Sequence, residues 1–172
     1  MKALNAILEF KVDKSAYKDI TKDEREILPI LIEASRILSD IYLEQERNHD
    51  KYPGANLYPS EVSDYEIEKA ALLNQDILSP YTVVEKSPKG LVATPYHLKY
   101  KSHLEKISRL VLKASTIAKN RSFAKYLKIA ADSLLSGKYR KMDVAWLDAK
   151  NSNLQFLIGP YERYLDKRFF KK

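Results

Sequence analysis

The chain contains no cysteine, only four glycines, and no apolar run near the ~20 residues a membrane-spanning helix needs. Without cysteine there can be no disulfide framework, no thiolate nucleophile and no zinc–cysteine site. The glycines stand apart at 54, 90, 137 and 159, so no glycine-rich loop can cradle a phosphate and no G-x-S-x-G turn exists. Histidine is also scarce. His49, His97 and His103 form no H-E-x-x-H pair, and a separation of six puts His97 and His103 on different helix faces. No metal ligand is therefore assigned. The N-terminal MKALNAILEFKVDKS brings charge back at Glu9 and Lys11 and offers no small-residue cleavage site, so it does not read as a secretory signal. The expected setting is the cytoplasm, with no membrane partner.

What is present is a globular composition. Of 172 residues, 45% are hydrophobic and 31% charged, which is enough to bury a core, and a single domain spanning 1–172 is expected. The net charge of +7 is unevenly spread. Residues 1–86 hold 11 basic and 17 acidic residues, whereas residues 87–172 hold 19 and 6. Such a split suggests either a basic half that meets nucleic acid or another protein, or two halves folded against each other.

The pattern predicts a mainly helical α+β fold. Thr21 and Glu24 form a capping box ahead of Ile27, Leu31, Ala34, Leu38 and Ile41, giving a helix to about Asn48 that Pro29 should kink or start late. HDKYPGANLYPS (49–60) is a loop. Ser63 and Glu66 form a second capping box, for a helix to about Asn74. YTVVEK (81–86) and LVATPY (91–96) read as a hairpin across Ser87-Pro88-Lys89-Gly90. Tyr100, Leu104, Ile107, Val111, Ala114 and Ala118 then stripe one helix, opposite Lys99, Lys106 and Lys113. Phe123, Leu127, Ala130 and Leu134 stripe the next, capped by Asn120 or Ser122 and stopped by Gly137. DVAWLD (143–148) is a short helix or turn, with Asp143 and Trp146 read as structural, and a last strand is expected near 154–164.

Two features could carry chemistry. Residues 99–141 hold 12 basic and two acidic residues, and Tyr100, Phe123, Tyr126 and Tyr139 could offer stacking faces to nucleic acid. Those aromatics also fall on or near the apolar stripes, where core packing is their alternative use. The second feature is IGPYERYLDK (158–167). On an extended strand Glu162 and Tyr164 point one way, Tyr161 and Arg163 the other. Pro160 cannot donate to a ladder, so this strand is an edge or only begins there. A carboxylate beside a phenol can hold a cationic group and donate to an oxyanion.

Four ordered stretches give these residues a context: LPILIEASRILSDIYLEQ (28–45), PGANLYP (53–59), YTVVEKSPKGLVATPY (81–96) and SGKYRKMDVAWLDAKNSNLQFLIGPYERYLDK (136–167). The chain resembles the N-terminal portion of dipeptidyl peptidase III-like zinc metallopeptidases, the D-V-A-W-L-D and I-G-P-x-E-x-Y-x-D runs being the most specific. The resemblance implies a two-lobed enzyme that releases dipeptides from the N-termini of oligopeptides. It implies that Glu162 receives the substrate's α-amino group and that Tyr164 is the catalytic donor to the scissile carbonyl. Two extended residues span about 7 Å, so an ammonium anchor and an oxyanion donor could measure a dipeptide. The family's H-E-x-x-G-H helix, which holds the zinc, has no counterpart in this sequence. The expectation is a piece or shortened relative that binds no cofactor itself, is inactive alone, and partners a zinc-bearing lobe or a C-terminal continuation.

Overall fold

The structure, a computed structural model, describes residues 14–46, 56–161 and 166–170. After a 3₁₀ turn (Lys14–Tyr17) come α1 (Lys22–Glu46) and α2 (Asp64–Leu73), a second 3₁₀ turn (Gln75–Leu78), and the hairpin β1 (Thr82–Ser87) and β2 (Gly90–Pro95). The short α3 (Tyr96–Lys99) leads into α4 (Lys101–Ile117), α5 (Arg121–Ser136) and α6 (Tyr139–Asp148). The fold is α+β and mainly helical, with a two-stranded antiparallel sheet among the described residues.

The core follows from the helical stripes. Leu104, Ile107, Val111 and Ala114 of α4 are fully buried between Ile27, Leu31, Ala34 and Ile41 of α1 and Leu127, Ala130 and Leu134 of α5. Each stripe recurs every three or four residues, so one face of each helix is withdrawn from water. Ser108 sits inside this interface and stays satisfied by donating to the Ala131 carbonyl at 2.8 Å. α6 extends the layer beyond α5 through Tyr139 and Met142, both buried. It begins four residues before the expected DVAWLD segment because Tyr139 and Met142 continue the buried period of Ala145.

Both capping boxes form. The Thr21 amide donates to Glu24 at 2.9 Å while the Glu24 amide donates back to Thr21 Oγ1. Ser63 and Glu66 make the same exchange. α1 starts at Lys22 and continues through Pro29, contrary to a late start. Pro29 lies on the exposed side, where the carbonyl it strips of a partner can be hydrated. Asn120 caps α5 by accepting from the Phe123 amide at 3.0 Å, and its own amide donates to the carbonyls of Lys150 and Asn151. Asn120→Ala should cost about 1–2 kcal/mol, the value of a cap plus a tether, read as a lower urea midpoint. Gly137 ends α5 at φ 71°, a left-handed turn that only glycine adopts cheaply.

The hairpin pairs Thr82 with Pro95 through Ser87 with Gly90, leaving Pro88-Lys89 as its loop. The expected strand near 154–164 is a correction. Over 154–161 no ladder is formed among the described residues. A strand needs a neighbour, and the hairpin pairs only with itself. The segment is held instead by side chains: Gln45 donates to the Pro160 carbonyl at 2.7 Å, and Asn153 donates to Glu24. Among the described residues no helix is long and apolar enough to cross a membrane.

Candidate functional site

Glu162 and Tyr164 lie outside the described residues. What the structure describes is how the chain is fixed on both sides of them. On the upstream side, the Tyr161 hydroxyl donates to Asp143 of α6 at 2.7 Å. Its ring packs 4.8 Å from Tyr139 and, edge-on, 5.7 Å from Tyr81, centroid to centroid. Burial pushes the Tyr161 phenol well above its usual range, and the Asp143 carboxylate adds to this, so it stays a protonated donor. Asp143 is thus the structural residue that the sequence suggested. Trp146 is partly buried against the core.

On the downstream side Asp166, 2% exposed, accepts from the Tyr58 hydroxyl at 3.2 Å and from the amides of Arg168 and Phe169. Arg168 reaches back to Asp64 at 2.6 Å, to the Pro59 carbonyl at 3.1 Å and to the Val62 carbonyl. Its guanidinium lies 5.8 Å from the Tyr58 ring centroid and 5.7 Å from that of Phe169. Buried charge is tolerated only when paired in this way. The chain therefore enters residues 162–165 from an anchor on α1 and α6 and leaves into an anchor on the 57–64 loop and α2. Sequence reading missed Gln45, Tyr58 and Arg168. Their partners lie more than 100 residues away, and no local pattern marks such a pair.

Next to the upstream anchor is a groove of about 580 Å³ between α1 and residues 157–161, lined by Leu38, Tyr42, Gln45, Leu157 and Pro160 among others. It mixes apolar walls with a few hydroxyl and amide groups, a composition suited to an extended peptide.

The other sequence candidates resolve clearly. Among the described residues no group of three His, Cys, Asp or Glu could hold a metal ion. His97 packs against the Gly137 turn, where an added Cβ would stand 2.6 Å from its Nδ1. Tyr100, Phe123, Tyr126 and Tyr139 are all at most 3% exposed, so they belong to the core and present no faces for base stacking. The charge asymmetry is partly internal: acidic-half Glu85 pairs with Lys99 at 2.7 Å, and acidic-half Asp64 with Arg168. The hydrogen bond from Lys99 lowers the Glu85 carboxyl below its usual range. Lys106, Lys113, Lys125 and Lys128 stay on solvent-facing surfaces of α4 and α5.

The fold so defined is a helical layer with one hairpin and a doubly anchored C-terminal segment. Its likeness is to dipeptidyl peptidase III. The structure of that enzyme from Caldithrix abyssi matches with a TM-score of 0.82 and 27% identity, over 94% of this chain and 39% of that one. The structure from Corallococcus sp. strain EGB matches with a TM-score of 0.80 over 96% of this chain and 39% of that one. At 20% identity this second match speaks for the fold alone. In sequence, a protein of Arabidopsis thaliana called Nudix hydrolase 3 is 30% identical over an alignment of 145 positions, covering 69% of this chain and 19% of that protein. No family model matches. The chain thus has a dipeptidyl peptidase III-like fold over an N-terminal portion, and it spans about a fifth of the curated relative and two-fifths of the solved enzymes.

Proposed function

We propose that this chain is the N-terminal, substrate-binding portion of a dipeptidyl peptidase III-like, zinc-dependent exopeptidase. The observation that carries the reading is the match to the Caldithrix abyssi structure across 94% of the chain, which spans the I-G-P-x-E-x-Y run. In this reading Glu162 accepts the peptide's α-ammonium group in a charge-assisted hydrogen bond. Tyr164 donates its phenolic proton in a hydrogen bond to the scissile carbonyl oxygen as that oxygen gains charge, an interaction stronger in the transition state than in the bound peptide. The ion would activate water in a longer enzyme. The described donors of this chain do not fit zinc, so no step is assigned to it here. The partner is the zinc-bearing remainder of the enzyme.

The test uses a tetrapeptide with a free amino terminus, titrated into the 172-residue chain and followed by NMR. Binding should weaken by about tenfold on N-acetylation of the peptide and by a similar factor with Glu162→Gln, the loss of one charge-assisted contact. No dipeptide should be released from a reporter substrate, with or without added zinc. Equal affinity for free and acetylated peptides would remove Glu162 from its role. Turnover abolished by chelation would show a metal centre within the chain itself.

A further inference from the structure

Residues 154–159 have the side-chain habit of a β-strand and the hydrogen bonding of none. Phe156 and Ile158 are buried, whereas Gln155 and Leu157 face outward, Leu157 at 61% exposure. That is a period of two. Yet no backbone amide or carbonyl of 155–159 makes a hydrogen bond among the described residues. Unpaired backbone next to a core is costly, and an open strand edge is a template for another strand.

An apolar trough runs beside this edge along α1. It begins at Tyr17, passes Leu28 and Ile32 to meet residues 154–156, and continues past Ser39 to Tyr42. Ile32 and Tyr42 are 44% and 39% exposed along it. The sequence holds a second run of matching period: Leu8-Glu9-Phe10-Lys11-Val12, apolar at 8, 10 and 12 and charged at 9 and 11. A single residue separates this run from Lys14, where the described chain begins, and Tyr17 already lines the end of the trough. The stretch of α1 from Leu28 to Tyr42 rises about 21 Å, and seven extended residues cover about 23 Å.

We propose that residues 7–12 add as a β-strand along 155–159, with Leu8, Phe10 and Val12 filling the trough against α1. This strap pairs the backbone that the rest of the chain leaves open and covers Ile32 and Leu157. It braces the segment leading to Pro160 from the side opposite the core. The inference stands apart from the proposed peptide binding, because it concerns only how this chain closes its own edge.

Hydrogen exchange of the full 172-residue chain tests it. Amides of 155–159 should exchange at least about tenfold more slowly than free-chain rates, at every protein concentration. Glu9→Pro, which bars regular strand pairing at 9, should return them to free-chain rates while α4 and α5 keep their protection. Phe10→Asp should do the same by placing a charge against the apolar wall. Free-chain rates in the unaltered protein overturn the proposal, as does slowing that survives both substitutions. Slowing that fades on dilution also overturns it, by assigning the edge to a second copy of the chain.

Discussion

Glu24→Gln is expected to remove about 3 kcal/mol of stability at neutral pH and little near pH 2. Glu24 is 4% exposed, and its two oxygens accept from the Thr21 amide and hydroxyl, Ser152 Oγ, the Asn153 amide and Asn153 Nδ2 at 2.9–3.1 Å. Burial by itself would raise the carboxyl's pKa. The hydrogen bonds from Thr21 and Asn153 outweigh burial and hold it at about 2, against an ordinary 4.5. A folded value below the unfolded one means that the stabilisation is complete well above 4.5 and is lost as pH falls toward 2. Glutamine keeps one acceptor and turns an amide toward donors, leaving part of the cluster unpaired. Urea unfolding of both proteins from neutral pH down to pH 2 should show the gap between them closing over that window. A gap that does not change with pH would mean that Glu24 acts by shape and not by charge.

Gly159→Ala is expected to cost about 2–4 kcal/mol, through overpacking and a lost buried hydrogen bond. A Cβ at this position would stand 2.2 Å from Tyr161 Cε1 and 2.8 Å from Cζ. The ring cannot step aside, because Tyr139 and Tyr81 pack on it and Asp143 holds its hydroxyl. Moving it therefore undoes the anchor upstream of residues 162–165. Tyr161→Phe, which removes only the hydroxyl, should cost about 1–2 kcal/mol. The diagnostic comparison is the double substitution. In a Tyr161→Ala background the alanine at 159 has nothing to strike, so its effect should nearly vanish. Persistence of the full cost there would place the clash elsewhere.

These two sites mark the limit of what could be read without coordinates. Glu24 was visible as a capping glutamate because Thr21 lies three residues away. Its bonds to Ser152 and Asn153 were invisible, being 128 and 129 residues distant. Gly159 and Tyr161 were legible as a motif, but the reason for the glycine is a ring two residues on, folded back by partners on α6 and before β1. The expected strand near 154–164 had the right alternation at Phe156 and Ile158 and still formed no ladder among the described residues. Alternation reports which side of a segment meets the core and says nothing of who lies beside it.

Local physics settled much from residue order alone. Helical period chose the buried faces of α1, α4 and α5, the Thr21, Ser63 and Asn120 caps chose where helices begin, and Gly137 chose where α5 ends. Each rests on atoms within one or two turns of chain, so the sequence carries the whole cause. Tertiary structure alone decided that Glu24 clamps the 152–153 turn, that Asp166 and Arg168 lock onto the 57–64 loop, and that the stacking candidates Tyr100, Tyr126 and Tyr139 are core. Those outcomes depend on contacts between distant segments, whose geometry exists only once the helices have packed.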